Sequence, residues 1–195
     1  MANIKANKTP NPDTQARILD AAITCVKRWG IEKVTLNDIA QEAGVTRPTV
    51  YSYFGSRDEV VQFALLQSAY SFSAELLKHV SKFETAQERA IEAVMYALKK
   101  LPKEPALELL QESGLAKIMN NHALQVPEGN EIRRSLIRFV LADIHLTDDD
   151  LEEVTEVATR FMLSLLTLEG PKKRNDKEMR AFLERRLLPA LGLAK

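Results

Sequence analysis

Apolar residues along this chain recur three and four positions apart and hardly ever at two, so the pattern reads as helices, with strand signals almost absent. Residues 1–12, with Lys5, Lys8, Pro10 and Pro12 and no apolar period, read as a disordered arm. The spacing predicts a first helix over 13–29, capped by Asp13 or Thr14 and stopped at Gly30. Its apolar face is Ile18, Leu19, Ala22, Ile23 and Val26, with Trp29 expected to pack beneath it. Two short helices follow on either side of Gly44. Ser56 is expected to cap a long helix to about Val80, and the pattern repeats over 85–100 through Ala90, Ile91, Val94, Met95 and Leu98. Pro102 and Pro105 punctuate, 106–120 reads as helical, and Pro127, Glu128 and Gly129 mark a loop before a helix over 131–145. Thr147 opens a helix over 148–168, a basic loop runs to Asp176, and 177–188 closes the chain.

The two short helices carry the most informative chemistry. Thr35 is a good N-cap with Asp38 three residues on, and Leu36, Ile39, Ala40 and Ala43 put small and apolar groups on one face. Gly44 supplies the positive φ that a tight turn between helices demands, and Val45 can plug the angle between them. The second helix starts at Thr46 or Arg47: Thr46 is the better capping side chain, while Pro48 suits the first helical position. Either start exposes Arg47, Pro48 and Thr49 at a helix N-terminus, which suits a DNA major groove. Arg47 can offer two donors to guanine, and Pro48 and Thr49 can touch a thymine methyl or a base edge. Val50 and Phe54 must face the core. Tyr51 and Tyr53 bring phenol hydroxyls toward phosphates, with Ser56 and Arg57 beside the backbone, and the two caps Thr35 and Thr46 are expected among the DNA-binding residues as well. Core packing competes with DNA contact for Tyr51, and a solvated charge competes for Arg57.

The string Thr-Leu-Asn-Asp-Ile-Ala-Gln-Glu-Ala-Gly-Val-Thr-Arg-Pro-Thr-Val-Tyr-Ser-Tyr-Phe over 35–54 resembles the DNA-binding segment of the TetR family of bacterial transcriptional regulators. The resemblance extends from Arg17 to Ala22 and Trp29-Gly30 through to Ser56-Arg57-Asp58-Glu59, about a quarter of the chain. Family members often have glycine at the position of Pro48 and lysine at that of Arg57. The resemblance implies that Asn37 also touches a base or phosphate. It implies an all-α protein with an N-terminal three-helix DNA-binding domain and a larger C-terminal helical domain for ligand binding and dimerisation. The expected division is a disordered arm at 1–12, the helix-turn-helix domain at 13–55 and the effector-binding and dimerisation domain at 56–195.

Composition narrows the classes. A chain of 195 residues with 45% hydrophobic and 28% charged residues can bury a sizeable core. No apolar run is long enough to span a bilayer and the start lacks a signal-peptide stretch, so a cytoplasmic protein with no membrane partner is expected. The formal net charge is zero, but residues 1–57 hold eight Lys or Arg against five acids, a weak bias toward a phosphate-facing first segment. No catalytic motif, phosphate loop or cysteine pair is present, so no catalytic residues and no cofactor are expected. His79, His122 and His145 lack ligand spacing, and Asp148, Asp149 and Asp150 suit the start of a helix without an ion, so no metal is expected. The lone Cys25 reads as a small core residue.

One helix-turn-helix contacts few base pairs, so a homodimer on a palindromic double-stranded operator is expected, with recognition helices about 34 to 36 Å apart. The stripes Leu151, Val154, Val157, Phe161 and Leu165, with Phe182, Leu183 and Leu187, are the candidate interface, as the last two long helices are in the family it resembles. The same residues would also serve as monomer core. By the same resemblance the middle of the chain holds an effector pocket. Its candidate lining is Phe63, Leu66, Tyr70, Met95, Leu98 and Leu107, continued by Leu110, Met119, His122, Phe139 and Met162. Such stripes are more often core. A small lipophilic or aromatic effector would favour one arrangement of the helix at 56–80 and so change the spacing of the recognition helices. Family habit favours release of DNA by the ligand, hence repression. A DNA-binding protein without a small-molecule effector and, more distantly, a helical enzyme are the rival readings.

Overall fold

The computed structural model describes residues 11–104 and 127–193, and these are helical, with no strand among them. In chain order the helices are α1 (Pro12–Trp29), α2 (Leu36–Glu42), α3 (Arg47–Tyr53), α4 (Arg57–Val80), α5 (Ala86–Lys100), α6 (Pro127–Val140), α7 (Asp148–Thr167) and α8 (Asp176–Ala190). A 3-10 turn, Leu101–Lys103, follows α5. The expected helix over 106–120 lies outside the described residues. The chain divides into two compact units, Met1–Gln67 and Ser68–Lys195, and the division falls within α4.

Local capping chemistry sets most boundaries. Thr35, Thr85, Thr147 and Asn175 each accept a backbone N–H three residues on, and the acid at that third position returns the bond to the cap's own N–H. Three expected starts move for the same kind of reason. The cap of α1 is Asn11, whose Oδ1 accepts from Asp13 N–H, because Pro12 occupies a first helical position where its missing N–H costs nothing. Proline likewise starts α6 at Pro127, inside the segment expected to be a loop, and α6 ends at Val140 and not near His145. Asn175 and Glu178 close a capping box that draws Asp176 into α8.

In the first unit α1 packs on α2 and α2 on α3. Ile18, Ala22, Cys25, Ile39 and Val50 are completely buried, while Ile23 is only half buried. Trp29 does not pack beneath α1: it is 40% exposed, with the Arg28 guanidinium 5.3 Å from its ring centroid. At the last residue of a helix stopped by Gly30 at φ 76°, the indole points past the apolar stripe.

In the second unit α5, α6 and α8 enclose a core of Val80, Ile91, Val94, Met95, Leu141, Leu183 and Leu187, with one face of α7 against it. Arg89 ties this core together. Its Nε donates to the Val140 carbonyl at 2.9 Å, its Nη1 to the Glu84 carbonyl at 2.7 Å, and its Nη2 to the Asp143 carboxylate. Among the described residues no helix is long and apolar enough to cross a membrane.

Candidate nucleic-acid interface

The geometry of α2 and α3 starts at the turn between them. Gly44 sits at φ 63°, where an L side chain is strained, and Arg17 of α1 lies against it, Nη2 donating to the Ala43 carbonyl at 2.6 Å. That bond satisfies a carbonyl at the end of α2 which has no helical partner. Val45 is half buried, as the plug between two helices should be. Val50 and Phe54 are buried, which fixes the rotation of α3 about its axis and leaves Arg47, Pro48, Tyr51 and Ser52 exposed. Phe54 also packs at a tilt against Phe63, with centroids 5.7 Å apart.

Thr46 is the cap of α3. Its Oγ1 accepts from Thr49 N–H at 3.3 Å and lies 2.8 Å from Thr49 Oγ1, so the two hydroxyls hold each other. The hydroxyl of Thr35 is committed to the cap of α2: it donates to Asp38 Oδ2 at 2.7 Å and accepts from Asp38 N–H at 3.3 Å. The Thr35 hydroxyl and the Thr35 N–H, which donates to the same oxygen at 2.8 Å, hold the Asp38 carboxyl below the ordinary carboxylate range. Asn37 stands exposed on the same helix.

A cleft of about 500 Å³ opens beside these residues, lined by Val34, Thr35, Leu36, Asn37, Arg47, Tyr51, Gly55, Ser56 and Arg57. Six of the expected DNA contacts, Thr35, Asn37, Arg47, Tyr51, Ser56 and Arg57, thus share one concavity, which sequence spacing alone does not reveal. Ser56 accepts from Glu59 N–H at 3.1 Å and caps α4. Arg57 departs from the expected free charge. Its Nε donates to the Val34 carbonyl at 3.0 Å and Nη1 to Asp58 at 2.6 Å, while Nη2 is shielded from solvent with no partner among the described residues. A phosphate reaching Arg57 must displace Asp58.

The two tyrosines are also engaged. Tyr53 accepts the backbone N–H of Asn11 at 2.8 Å, so its own proton is directed elsewhere and remains available to an acceptor. Tyr51 accepts from Arg47 Nη2 at 3.3 Å, and the Arg47 guanidinium lies 5.4 Å from its ring centroid. Neither Arg17 nor Asn11 is among the site residues that the sequence predicts. Asn-Pro at a helix start was a signal for the second, whereas the bond from Arg17 to Ala43 spans 26 residues and leaves no local trace.

Elsewhere the expected site residues scatter. Met95 is core, Leu98 and Met162 pack against that core, and Phe139 and Tyr70 are exposed. Phe63 and Leu66 belong to the first unit, and Leu107, Leu110, Met119 and His122 lie outside the described residues. Of the expected interface, Leu183 is 0% and Leu187 1% exposed within the unit's own core, and Leu151 is buried as well. These three cannot meet a second chain. Val154, Val157, Phe161, Leu165 and Phe182 keep partial exposure, and Phe161 stacks on Phe182 at 6.0 Å.

A short helix held on its neighbour by buried Val50 and Phe54, with Arg47 and Pro48 leading into solvent, defines a helix-turn-helix domain. Residues 18–63 match the family model for bacterial regulatory proteins of the tetR family. Over this domain the chain is similar to the TetR family. An uncharacterised HTH-type transcriptional regulator of Mycobacterium tuberculosis is 31% identical over 106 residues, 54% of each chain. The chain spans about half the length of the curated relatives it matches first. The TetR family repressor AlkX from Dietzia sp., implicated in biodegradation of n-alkanes, shares the fold at a TM-score of 0.66 and 18% identity, covering 97% of this chain and 99% of its own. The multidrug binding protein EbrR, solved in complex with imidazole, shares it at 0.63 and 22%, covering 94% and 96%.

Proposed function

We propose that this protein is a transcriptional regulator and not a catalyst, binding a palindromic operator as a homodimer through α3. The observation that carries the reading is the rotation of α3: Val50 and Phe54 are buried, so Arg47, Pro48 and Thr49 lead the helix toward a groove. Arg47, Pro48 and Thr49 read base edges, while Asn37, Tyr51, Ser56 and Arg57 around the cleft, with Tyr53 outside its lining, hold phosphates. Thr35 and Thr46 serve as the caps that hold α2 and α3 in place.

Dimerisation uses the half-exposed apolar residues of α7 and α8. Val154, Val157, Phe161, Leu165 and Phe182 leave apolar surface that the unit's own core does not cover. The regulator responds to a small, largely apolar effector taken up by the second unit, which releases the operator. Support comes from exposed Tyr70 and Phe139 and from the binding of imidazole by EbrR. Selection of bound fragments from a random DNA library tests the DNA reading. A two-fold symmetric motif is expected, and enrichment of no motif refutes it. A thermal-shift screen with lipophilic and aromatic compounds tests the effector, and no hit counts against it.

A further inference from the structure

The contact between Arg47 and Tyr51 is not required by the fold. Both side chains are exposed, both line the cleft, and neither contributes to the buried core beneath α3. Yet they are joined twice: Nη2 of Arg47 donates to the Tyr51 hydroxyl at 3.3 Å, and its guanidinium carbon lies 5.4 Å from the centre of the phenol ring. Four residues apart on one helix, they are neighbours on a single face.

We propose that Tyr51 is a positioning residue for Arg47 and so a determinant of operator sequence preference, beyond any contact of its own with phosphate. The inference rests on the DNA-reading function proposed above. Arginine enters a groove as a long, mobile side chain, and fixing it to one geometry is what separates reading a guanine from merely attracting a phosphate. The Tyr51 ring lies beside the guanidinium, 5.4 Å from its carbon to the ring centre, and its oxygen takes one of five N–H donors, which leaves a two-donor edge open for guanine O6 and N7. The other cation on the cleft wall, Arg57, is bonded to Val34 and Asp58 and cannot take the same place. The phenol proton, not used on Arg47, is free to meet a phosphate, so the two roles are compatible.

The test compares wild-type chain with Tyr51→Phe, Tyr51→Leu, Arg47→Ala and the two double variants. Each is titrated against the selected operator and all its single-base changes. Tyr51→Leu is expected to reduce preference at the one position read by Arg47 about two- to fivefold. Tyr51→Phe, which keeps the ring, is expected to reduce it about twofold. In the Arg47→Ala background neither change should alter that preference further. Even losses at every operator position, multiplying with the loss from Arg47→Ala, overturn the inference and leave Tyr51 a phosphate contact only. If wild-type chain selects no motif at all, the DNA-reading function fails first and this inference with it. Tyr51→Phe preserves the ring, so a folding defect in Tyr51→Leu leaves the comparison decisive.

Discussion

Replacing Gly44 with alanine places two strains on the turn between α2 and α3. The first is backbone: at φ 63° an L residue costs about 1 to 2 kcal/mol. The second is a contact, because the new Cβ would stand 3.2 Å from Arg17 Nη2, tighter than ordinary van der Waals approach. Arg17 cannot retreat freely while it donates to the Ala43 carbonyl at 2.6 Å, a part-buried bond to a charged group. Such bonds are worth about 1.5 to 3 kcal/mol, so losing a fraction of one brings the total for Gly44→Ala to about 2 to 3 kcal/mol. The chain's single tryptophan, Trp29, belongs to the first unit, so urea unfolding followed by its fluorescence reports on that unit. Arg17→Met and the double variant complete a cycle. With the Arg17 bond already gone, Gly44→Ala should cost about 0.5 to 1 kcal/mol less than it does alone. A change within about 0.5 kcal/mol of wild type for Gly44→Ala, or strict additivity with Arg17→Met, refutes the reasoning.

Other consequences are simpler to measure. Burial pushes the Cys25 thiol up to about 11, so it should resist iodoacetamide in the native protein at pH 8 and react once the chain is unfolded; rapid native labelling contradicts its place in the core. The bonds from Thr85 hold Glu88 below its ordinary 4.5, and a depressed carboxyl stabilises the fold above its unfolded pKa and ceases to do so as pH falls through its folded one. Glu88→Gln should therefore flatten the acid limb of the stability profile below about pH 4.5, and an unchanged limb removes Glu88 as a cause. The Thr155 hydroxyl is buried with no partner among the described residues, so Thr155→Val should leave thermal stability equal or raise it by up to about 1 kcal/mol; a clear loss would reveal a partner.

What could be read from sequence follows the range of the interactions. The cap at Thr35 with Asp38, the helix start at Thr147 and the positive φ at Gly44 depend on residues within one turn, and the chain announces them. The exposure of Arg47 and Pro48 was legible for the same reason, since Val50 and Phe54 fix the rotation of α3, whereas Thr49 is half buried with its hydroxyl held by Thr46. Interactions across many residues left no such mark. Nothing near Arg57 indicates that it binds the carbonyl of Val34, and nothing near Tyr53 that it receives Asn11. Apolar stripes were ambiguous in another way: the period that puts Leu183 and Leu187 on one face of α8 does not say whether the neighbour is the same chain or a second copy. Proline misled at Pro127, where a residue that often breaks helices begins one.

The most direct measurement is the affinity of wild-type and Arg47→Ala chains for the selected operator and its single-base variants, at several salt concentrations. Wild type should prefer its motif over random DNA by at least about 10³-fold, and Arg47→Ala should lose about 1 to 3 kcal/mol with preference relaxed at one position and the salt slope kept. Binding that is equally tight to all sequences, or a sequence-blind loss in Arg47→Ala, contradicts α3 as the element that reads DNA.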